Sequence, residues 1–295
     1  MRKNKEQTWK EIDPVMLKYI DDQLHIDVVN MQAVQITRQK GKLCRKVHPV
    51  RSQNILDHVT RRAEDRGMAV NDGKTKVAVV SAATSYTPKA YLNTRDGTTI
   101  ESNNSIRVLG CIFDANTGTG TQVDNVVRKL RAGTWCLAAL RKHGFTTEEM
   151  DRVYTTHIRP VAEYASVAWH STITKEQTEN IERQQTHTLR GIFGGDISAE
   201  KLRDSEGVTP LWERRESACL KFALKNEENP RFPDWFRKRP EPTRQIRTNA
   251  DYRPFYEPVA RTERFFNTPL NYMRKINSLP MFNTHREILV PKINK

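Results

Sequence analysis

The sequence predicts an α+β chain, with a β-hairpin, a helix and further strands, then a mainly helical part and an irregular basic tail. Three observations carry this reading. Apolar residues alternate in the first third, their period changes to that of a helix near Thr121, and prolines at 230, 233, 240, 242, 254, 258 and 269 break the last part.

Val15 to Ile20 and Gln23 to Val28 read as strands, the second alternating Leu24, Ile26 and Val28 with Gln23, His25 and Asp27. With so short a gap between them they form a hairpin whose tip holds Asp21 and Asp22. A basic loop follows, with Arg38, Lys40, Lys42, Arg45, Lys46 and Arg51. Ser52 can cap a helix running to Arg66, with Ile55, Val59 and Ala63 along one side and Gly67 as its stop. Val77 to Ala82 and Ile106 to Phe113 read as strands, and Asp96-Gly97 as a turn between Tyr91 and Ile100.

In the middle, Val123, Val127, Leu130, Thr134 and Leu137 form one helical stripe that ends at His143-Gly144. Thr146 with Glu149 and Thr174 with Gln177 have the spacing of capping boxes and open two more helices. Pro160 is expected to kink or end the first of these. A fourth helix has Thr209 as cap and Pro210 as its first residue. Trp135, Trp169 and Trp212 fall on helical segments and are expected in the core. The domains predicted are 1–115, 116–226 and a basic, Pro- and aromatic-rich extension at 227–295.

Composition restricts the function. The 295 residues carry a net charge of +14, which favours a polyanionic partner such as nucleic acid. Residues 111–226 are nearly balanced, with 16 Lys/Arg against 15 Asp/Glu, so the excess lies in the flanks. No run approaches the ~18 apolar residues of a membrane helix, and no signal-peptide core follows Met1. Cys44, Cys111, Cys136 and Cys219 are scattered, which argues against a zinc site or a disulfide framework.

Adjacent aspartates suit a two-residue hairpin turn badly, because such turns favour Asn-Gly or Asp-Gly and like charges repel. A divalent cation would account for them, since Mg²⁺ takes hard carboxylate oxygens. A solvated acidic turn is the alternative. Tyr19-Ile20-Asp21-Asp22 resembles the Tyr-x-Asp-Asp motif (motif C) of reverse transcriptases. Asn71-Asp72-Gly73-Lys74-Thr75 is similar to the Asn-x-x-Lys-Thr of motif D, and Leu109-Gly110 to the Leu-Gly of motif E. Tyr154 to Trp169, and Glu182 to Thr186 followed by Leu189 to Gly194, resemble the thumb region of the non-LTR (LINE-type) retrotransposon enzymes. The order of the five segments matches that family over roughly residues 10–275.

The resemblance implies a partial polymerase palm over 1–115, a helical thumb over 116–226 and an extension beyond it. It implies an RNA-directed DNA polymerase acting on an RNA template and a DNA primer, in the nucleus if it acts as the family does. Asp21 would be a direct metal ligand and Asp22 its peripheral neighbour, with Mg²⁺ or Mn²⁺ as cofactor of the complete enzyme and no tight binding by this chain alone. Tyr19 would lie under the primer end, and Lys74 would be catalytic near the incoming triphosphate, offsetting charge or protonating the departing pyrophosphate. Leu109 and Gly110 would grip the primer. The alternatives are a solvated lysine before a strand and a plain strand or bulge glycine. The basic residues Arg38, Lys40, Lys42, Arg45 and Lys46 would follow template or primer phosphates, a generic solvated loop being the alternative. The family's first catalytic aspartate and its fingers precede Tyr-x-Asp-Asp, where this chain has 18 residues. The activity would therefore depend on a polymerase part supplied upstream. A non-catalytic nucleic-acid-binding remnant is the alternative, and an unrelated basic scaffold a third reading.

Overall fold

The computed structural model describes residues 15–19, 22–26, 35–39, 42–47, 50–80, 89–195, 198, 201, 207–231, 233–238, 255 and 267–277, with side chains from residue 51 to 274 among these. It is α+β and divides into two compact units, Met1–Thr117 and Gly118–Lys295.

Among its described residues the first unit holds eight strands and one helix. β1 (Val15–Tyr19) and β2 (Asp22–Ile26) form an antiparallel pair by themselves. β3 (Gln35–Gln39) and β4 (Lys42–Val47) pair antiparallel, where the sequence suggested a basic loop. Closely spaced charges hide a period of two, so the strand signal was lost in the basic run. Helix α1 (Val50–Glu64) begins before Ser52 and leads to β5 (Lys89–Asn93), which is parallel to β4.

A side-chain amide fastens α1 to β5. Gln53 donates through Nε2 to the Asn93 carbonyl at 2.8 Å and accepts the Asn93 N–H at 2.8 Å, so it pairs with the strand as a peptide group would. Arg95 and Glu64 add an ion pair. β6 (Thr99–Glu101) pairs with β5 across a turn containing Gly97, as the Asp96-Gly97 signal predicts. Along β5, Ala90 and Leu92 are buried while Lys89 and Asn93 are exposed. The expected strand from Val77 does not form within residues 77–80; that segment is tied by one backbone bond, from the Asn103 N–H to the Val77 carbonyl at 2.8 Å.

The expected strand Ile106–Phe113 is instead a hairpin. β7 (Ser105–Val108) and β8 (Cys111–Asp114) pair antiparallel, and Leu109 and Gly110 make the turn. Both turn residues have positive φ, 47° and 84°, the signature of a type I′ turn.

The second unit is helical. α2 (Gly120–Lys142) buries Val123, Val126, Val127, Leu130 and Leu137, close to the stripe read from the sequence. It ends in a Schellman motif. The Phe145 N–H reaches the Leu140 carbonyl at 3.3 Å, the Gly144 N–H reaches that of Arg141 at 3.1 Å, and Gly144 takes φ 84°.

α3 (Thr147–Val153) opens with the full Thr146/Glu149 capping box, at 3.2 and 2.9 Å. Pro160 does not end the helix. A π-turn at Tyr154–Ile158 precedes it, in which the Arg159 N–H donates to the Tyr154 carbonyl, and α4 (Arg159–Glu163) continues. Proline has no N–H and its ring crowds the preceding turn, and the wider π-turn absorbs both effects. The hydroxyls of Thr155 and Thr156 take the Asp151 and Arg152 carbonyls.

α5 (Lys175–Phe193) has the Thr174/Gln177 capping box at 3.1 and 2.9 Å. α6 (Leu211–Asn226) differs from its prediction at the start. Pro210 occupies the cap position, and no local side chain serves it. The Glu182 carboxylate on α5 accepts instead from the Leu211 N–H at 3.1 Å and the Trp212 N–H at 2.7 Å. α7 (Pro269–Asn277) packs on α6, where Phe236, Phe255 and Met273 join Cys219, Leu220 and Ala223 in one buried cluster. These aromatics of the 227–295 extension are therefore core of the second unit.

Gly133 shows how closely α2 meets the π-turn. A Cβ added there would lie 2.8 Å from Ile158 Cγ2 and 2.9 Å from its Cγ1. Helix propensity favours alanine by up to about 1 kcal/mol, but overpacking costs about 1–3 kcal/mol, so the clash decides. Gly133→Ala is expected to lower the unfolding free energy measured in urea, whereas a gain would mean that Ile158 yields freely.

Candidate functional site

Among the described residues, those singled out for polymerase chemistry fall on three sheets of the first unit and, for Lys74, on a turn outside them. β1 and β2 pair from Val15↔Ile26 to Tyr19↔Asp22, so Ile20 and Asp21 fall between the strands. Asp22 is thus the first residue of β2 and not part of the tip, a shift of one residue from the hairpin predicted. Asp21 lies outside the described residues, as do the side chains of Tyr19 and Asp22.

The β3–β4 register sets Arg38 opposite Leu43, Gln39 opposite Lys42, Ile36 opposite Arg45 and Gln35 opposite Lys46. Lys40 lies outside the described residues. Arg51 belongs to α1. Arg38, Lys42, Arg45 and Lys46 are therefore carried on the strands of a hairpin next to β5 and not on a loop.

Asn71 organises the segment around Lys74. Its side-chain Oδ1 accepts the Lys74 N–H at 3.0 Å, and its carbonyl accepts the Thr75 N–H and hydroxyl, each at 3.0 Å. This is an Asx-type turn, in which Asn and Thr satisfy backbone groups and the exposed Lys74 is carried at the surface. The Asn-x-x-Lys-Thr spacing thus has a complete local structural role.

Leu109 is harder to explain by structure alone. The first position of a type I′ turn favours Asn, Asp or Gly, and a leucine held at positive φ costs roughly 1–2 kcal/mol. The side chain is also 49% exposed, so burial does not repay that strain. Leu109 and Gly110 present a strained, partly apolar tip.

Among the described residues no group of three His, Cys, Asp or Glu side chains is placed to hold a metal ion, and no helix is long and apolar enough to cross a membrane. Cys111 and Cys219 are buried free thiols and Cys136 is an exposed one. Burial pushes the Cys219 thiol up to about 12.

The second unit contains a buried polar cluster that the sequence reading missed. Arg215 on α6 is fully buried, with its guanidinium 5.6 Å from the Trp169 ring centroid and Nη2 3.6 Å from Glu182 Oε1. Its Nε is 3.4 Å from His170 Nδ1. A guanidinium only donates, so Nδ1 is the acceptor and the imidazole proton sits on Nε2. Nη1 and Nη2 make no hydrogen bond among the described residues. Burial pulls the Arg215 pKa down, and the attraction of Glu182 opposes it. The His170 ring meets Tyr272 of α7 edge-on at 5.7 Å, and the Tyr272 hydroxyl donates to Glu216 at 2.8 Å.

The segments that carry the thumb-like resemblance meet in this unit. Gln185 Nε2 donates to the Tyr154 hydroxyl at 3.0 Å, and burial pushes that phenol up to about 12. Glu163 binds Arg214 through both oxygens, at 2.5 and 3.4 Å. The contacts join helices; none of them is an arrangement for chemistry.

His170 makes stability depend on pH. Burial, and then the Arg215 charge, pull its pKa from 6.5 to about 4. A base with a depressed folded pKa contributes stability that is fully present above about pH 6.5 and lost as pH falls to about 4. The loss is on the order of 3 kcal/mol at most. Urea unfolding across this range is expected to show that slope in the wild type, and a much flatter one in His170→Phe.

The tryptophans divide. Trp169 is buried at 1% exposure, with Nε1 donating to the Tyr164 carbonyl at 3.1 Å. Trp135 is 78% exposed and Trp212 40% exposed, against the expectation that both are core. The helical period could have placed Trp135, because it lies outside the stripe Val123, Val127, Leu130, Thr134, Leu137.

Comparison with protein-family models, curated proteins and solved structures finds no match. Fold and site define a strongly basic α+β chain with a sheet-containing unit and a helical unit.

Proposed function

We propose that this chain is a carboxy-terminal part of an RNA-directed DNA polymerase of the non-LTR retrotransposon kind, contributing part of the palm and the thumb to two-metal nucleotidyl transfer. The observation that carries the reading is the ordered series from Tyr19-Ile20-Asp21-Asp22 to Leu189–Gly194 in a chain of net charge +14. Two structural features support it. β1 and β2 stay paired up to Tyr19↔Asp22, so only two positions of the motif separate the paired strands. Leu109-Gly110 forms a tight turn that holds a half-exposed leucine at positive φ, an apolar tip of the kind a primer grip needs.

Aspartates at 21 and 22 supply hard oxygen donors suited to Mg²⁺, which would neutralise charge on the reacting phosphates. Two ions roughly 3.5–4 Å apart also need a carboxylate from outside this motif. The residues named here would hold one side of such a site, orient the primer and contact its phosphates. RNA template and DNA primer would be the partners.

The experiment is primer extension on an RNA template with Mg²⁺. The 295 residues alone are expected to give no product, and the same chain behind polymerase fingers and a first aspartate is expected to give product. Robust extension by the isolated chain would overturn the two-carboxylate argument. Leu109→Asn separates fold from function at the second feature. Asparagine suits the type I′ turn, so stability is expected to rise by up to roughly 1–2 kcal/mol, while extension by the joined polymerase falls because the apolar tip is gone. Unchanged extension would remove the primer-gripping role.

A further inference from the structure

We infer that the outer face of α2 is a stacking platform for unpaired nucleotides, with Trp135 at its centre. The inference rests on the nucleic-acid reading above for its class of ligand and adds a surface that none of the five sequence segments contains. Trp135 is 78% exposed, the most exposed of the large hydrophobic side chains described. An exposed indole offers a large, rigid, flat apolar face with a polar N–H at its edge, the kind of side chain that binding surfaces use.

Its neighbours on the helix surface fit one kind of partner. At spacings of three, four and seven residues stand Arg128, Arg131, Ala132, Ala138, Ala139 and Lys142, all exposed. The alanines leave the flat face of the ring uncovered. The cations lie on both sides of it, spread over roughly 20 Å of helix at ~1.5 Å per residue. Arg128 is partly engaged with Asn125 at 2.9 Å, while Arg141, one position off the stripe, is committed to the Ile192 carbonyl at 2.6 Å. The helix carries five basic residues and one acid, Asp124, which lies roughly 16 Å along the axis from Trp135.

A flat aromatic ring between phosphate-reaching cations matches how single-stranded nucleic acids are held, with bases stacked on the ring and the backbone along the charges. A duplex hides its base faces and would use only the charges. An acidic peptide would use the charges too, but α2 presents no groove of apolar side chains to anchor one.

The test is fluorescence anisotropy of labelled oligouridine with the full chain at low salt, with duplex RNA and polyglutamate as competitors. Trp135→Ala is expected to weaken oligouridine binding roughly tenfold or more, and Trp135→Phe much less. Duplex binding should change little. Arg131→Gln with Lys142→Gln should lower the slope of log affinity against log salt by about 1.4, roughly 0.7 for each lost phosphate contact. Melting of Trp135→Ala is expected to match the wild type, and a clear drop would mean that the indole is packed and overturn the proposal. Wild-type affinity in Trp135→Ala, equal losses for oligouridine and duplex, or displacement by polyglutamate that depends on Trp135 would each refute the platform and leave the polymerase reading standing. No oligouridine binding by the wild-type chain would remove both.

Discussion

In a polymerase that joins this chain to fingers and a first aspartate, Asp21→Asn is expected to lower Mg²⁺-dependent primer extension by several orders of magnitude. The substitution keeps the size of the side chain and removes its charge. A metal pair that must neutralise phosphates and activate a primer hydroxyl loses a hard anionic ligand, and the cost falls on the transition state, where charge is greatest. Lys74→Ala is expected to cost less, within roughly 10²- to 10⁴-fold, the range of a general acid. The Asx turn built by Asn71 explains why Lys74 can be changed without harm to the fold, since among the described residues Lys74 is held by its backbone N–H. Single-turnover extension on an RNA template measures both variants. Equal rates for wild type and Asp21→Asn would show that Tyr19-Ile20-Asp21-Asp22 is an ordinary acidic turn.

Local signals were legible and distant ones were not. Both capping boxes, Thr146/Glu149 and Thr174/Gln177, form as their three-residue spacing predicts, because every partner lies within one turn. The cap of α6 comes from Glu182, 29 and 30 residues before the N–H groups it accepts from, and no local pattern reports such a pairing. Two strand errors have different causes, one in the backbone and one in the charge pattern. Ile106–Phe113 has the composition of one strand, yet Leu109 takes a positive φ that leucine rarely adopts, so the reversal was invisible. Residues 35–47 carry enough charge to read as a loop, although their ladder is regular. Trp135 was misplaced for a different reason. Large aromatics are usually buried, and that tendency was allowed to outweigh the helical period that put Trp135 among exposed arginines and alanines. For the candidate site, the sequence supplied the motifs and their order, while the fold puts Tyr19 and Asp22 on the β1–β2 ladder, Leu109-Gly110 on the β7–β8 hairpin and Lys74 on a turn between them in sequence.

The helical unit is expected to depend on Glu182 more than on any surface ion pair. This carboxylate does two jobs at once. It accepts from the Leu211 and Trp212 N–H groups at the start of α6, where Pro210 offers no side-chain cap and the helix dipole favours a negative charge. It is also the nearest counter-charge to Arg215, at 3.6 Å, for a guanidinium with no exposure to water. At that distance the pair gains attraction but no well-formed hydrogen bond, consistent with burial pulling the Arg215 pKa down despite Glu182. Glu182→Ala leaves a buried cation uncompensated and two helix N–H groups unserved, and is expected to cost about 3–5 kcal/mol. Glu182→Gln keeps an acceptor for the cap and loses the charge, so its cost should be smaller. Adding Arg215→Met to Glu182→Gln should recover much of that loss, because replacing both ions removes the desolvation penalty together with the attraction. The double-mutant cycle in urea, read by near-ultraviolet circular dichroism of the helical unit, measures the coupling. A cost below about 1 kcal/mol for Glu182→Ala would place the pair among weak surface bridges, and would mean that α6 is held by its apolar contacts through Leu211, Cys219, Leu220 and Ala223 alone.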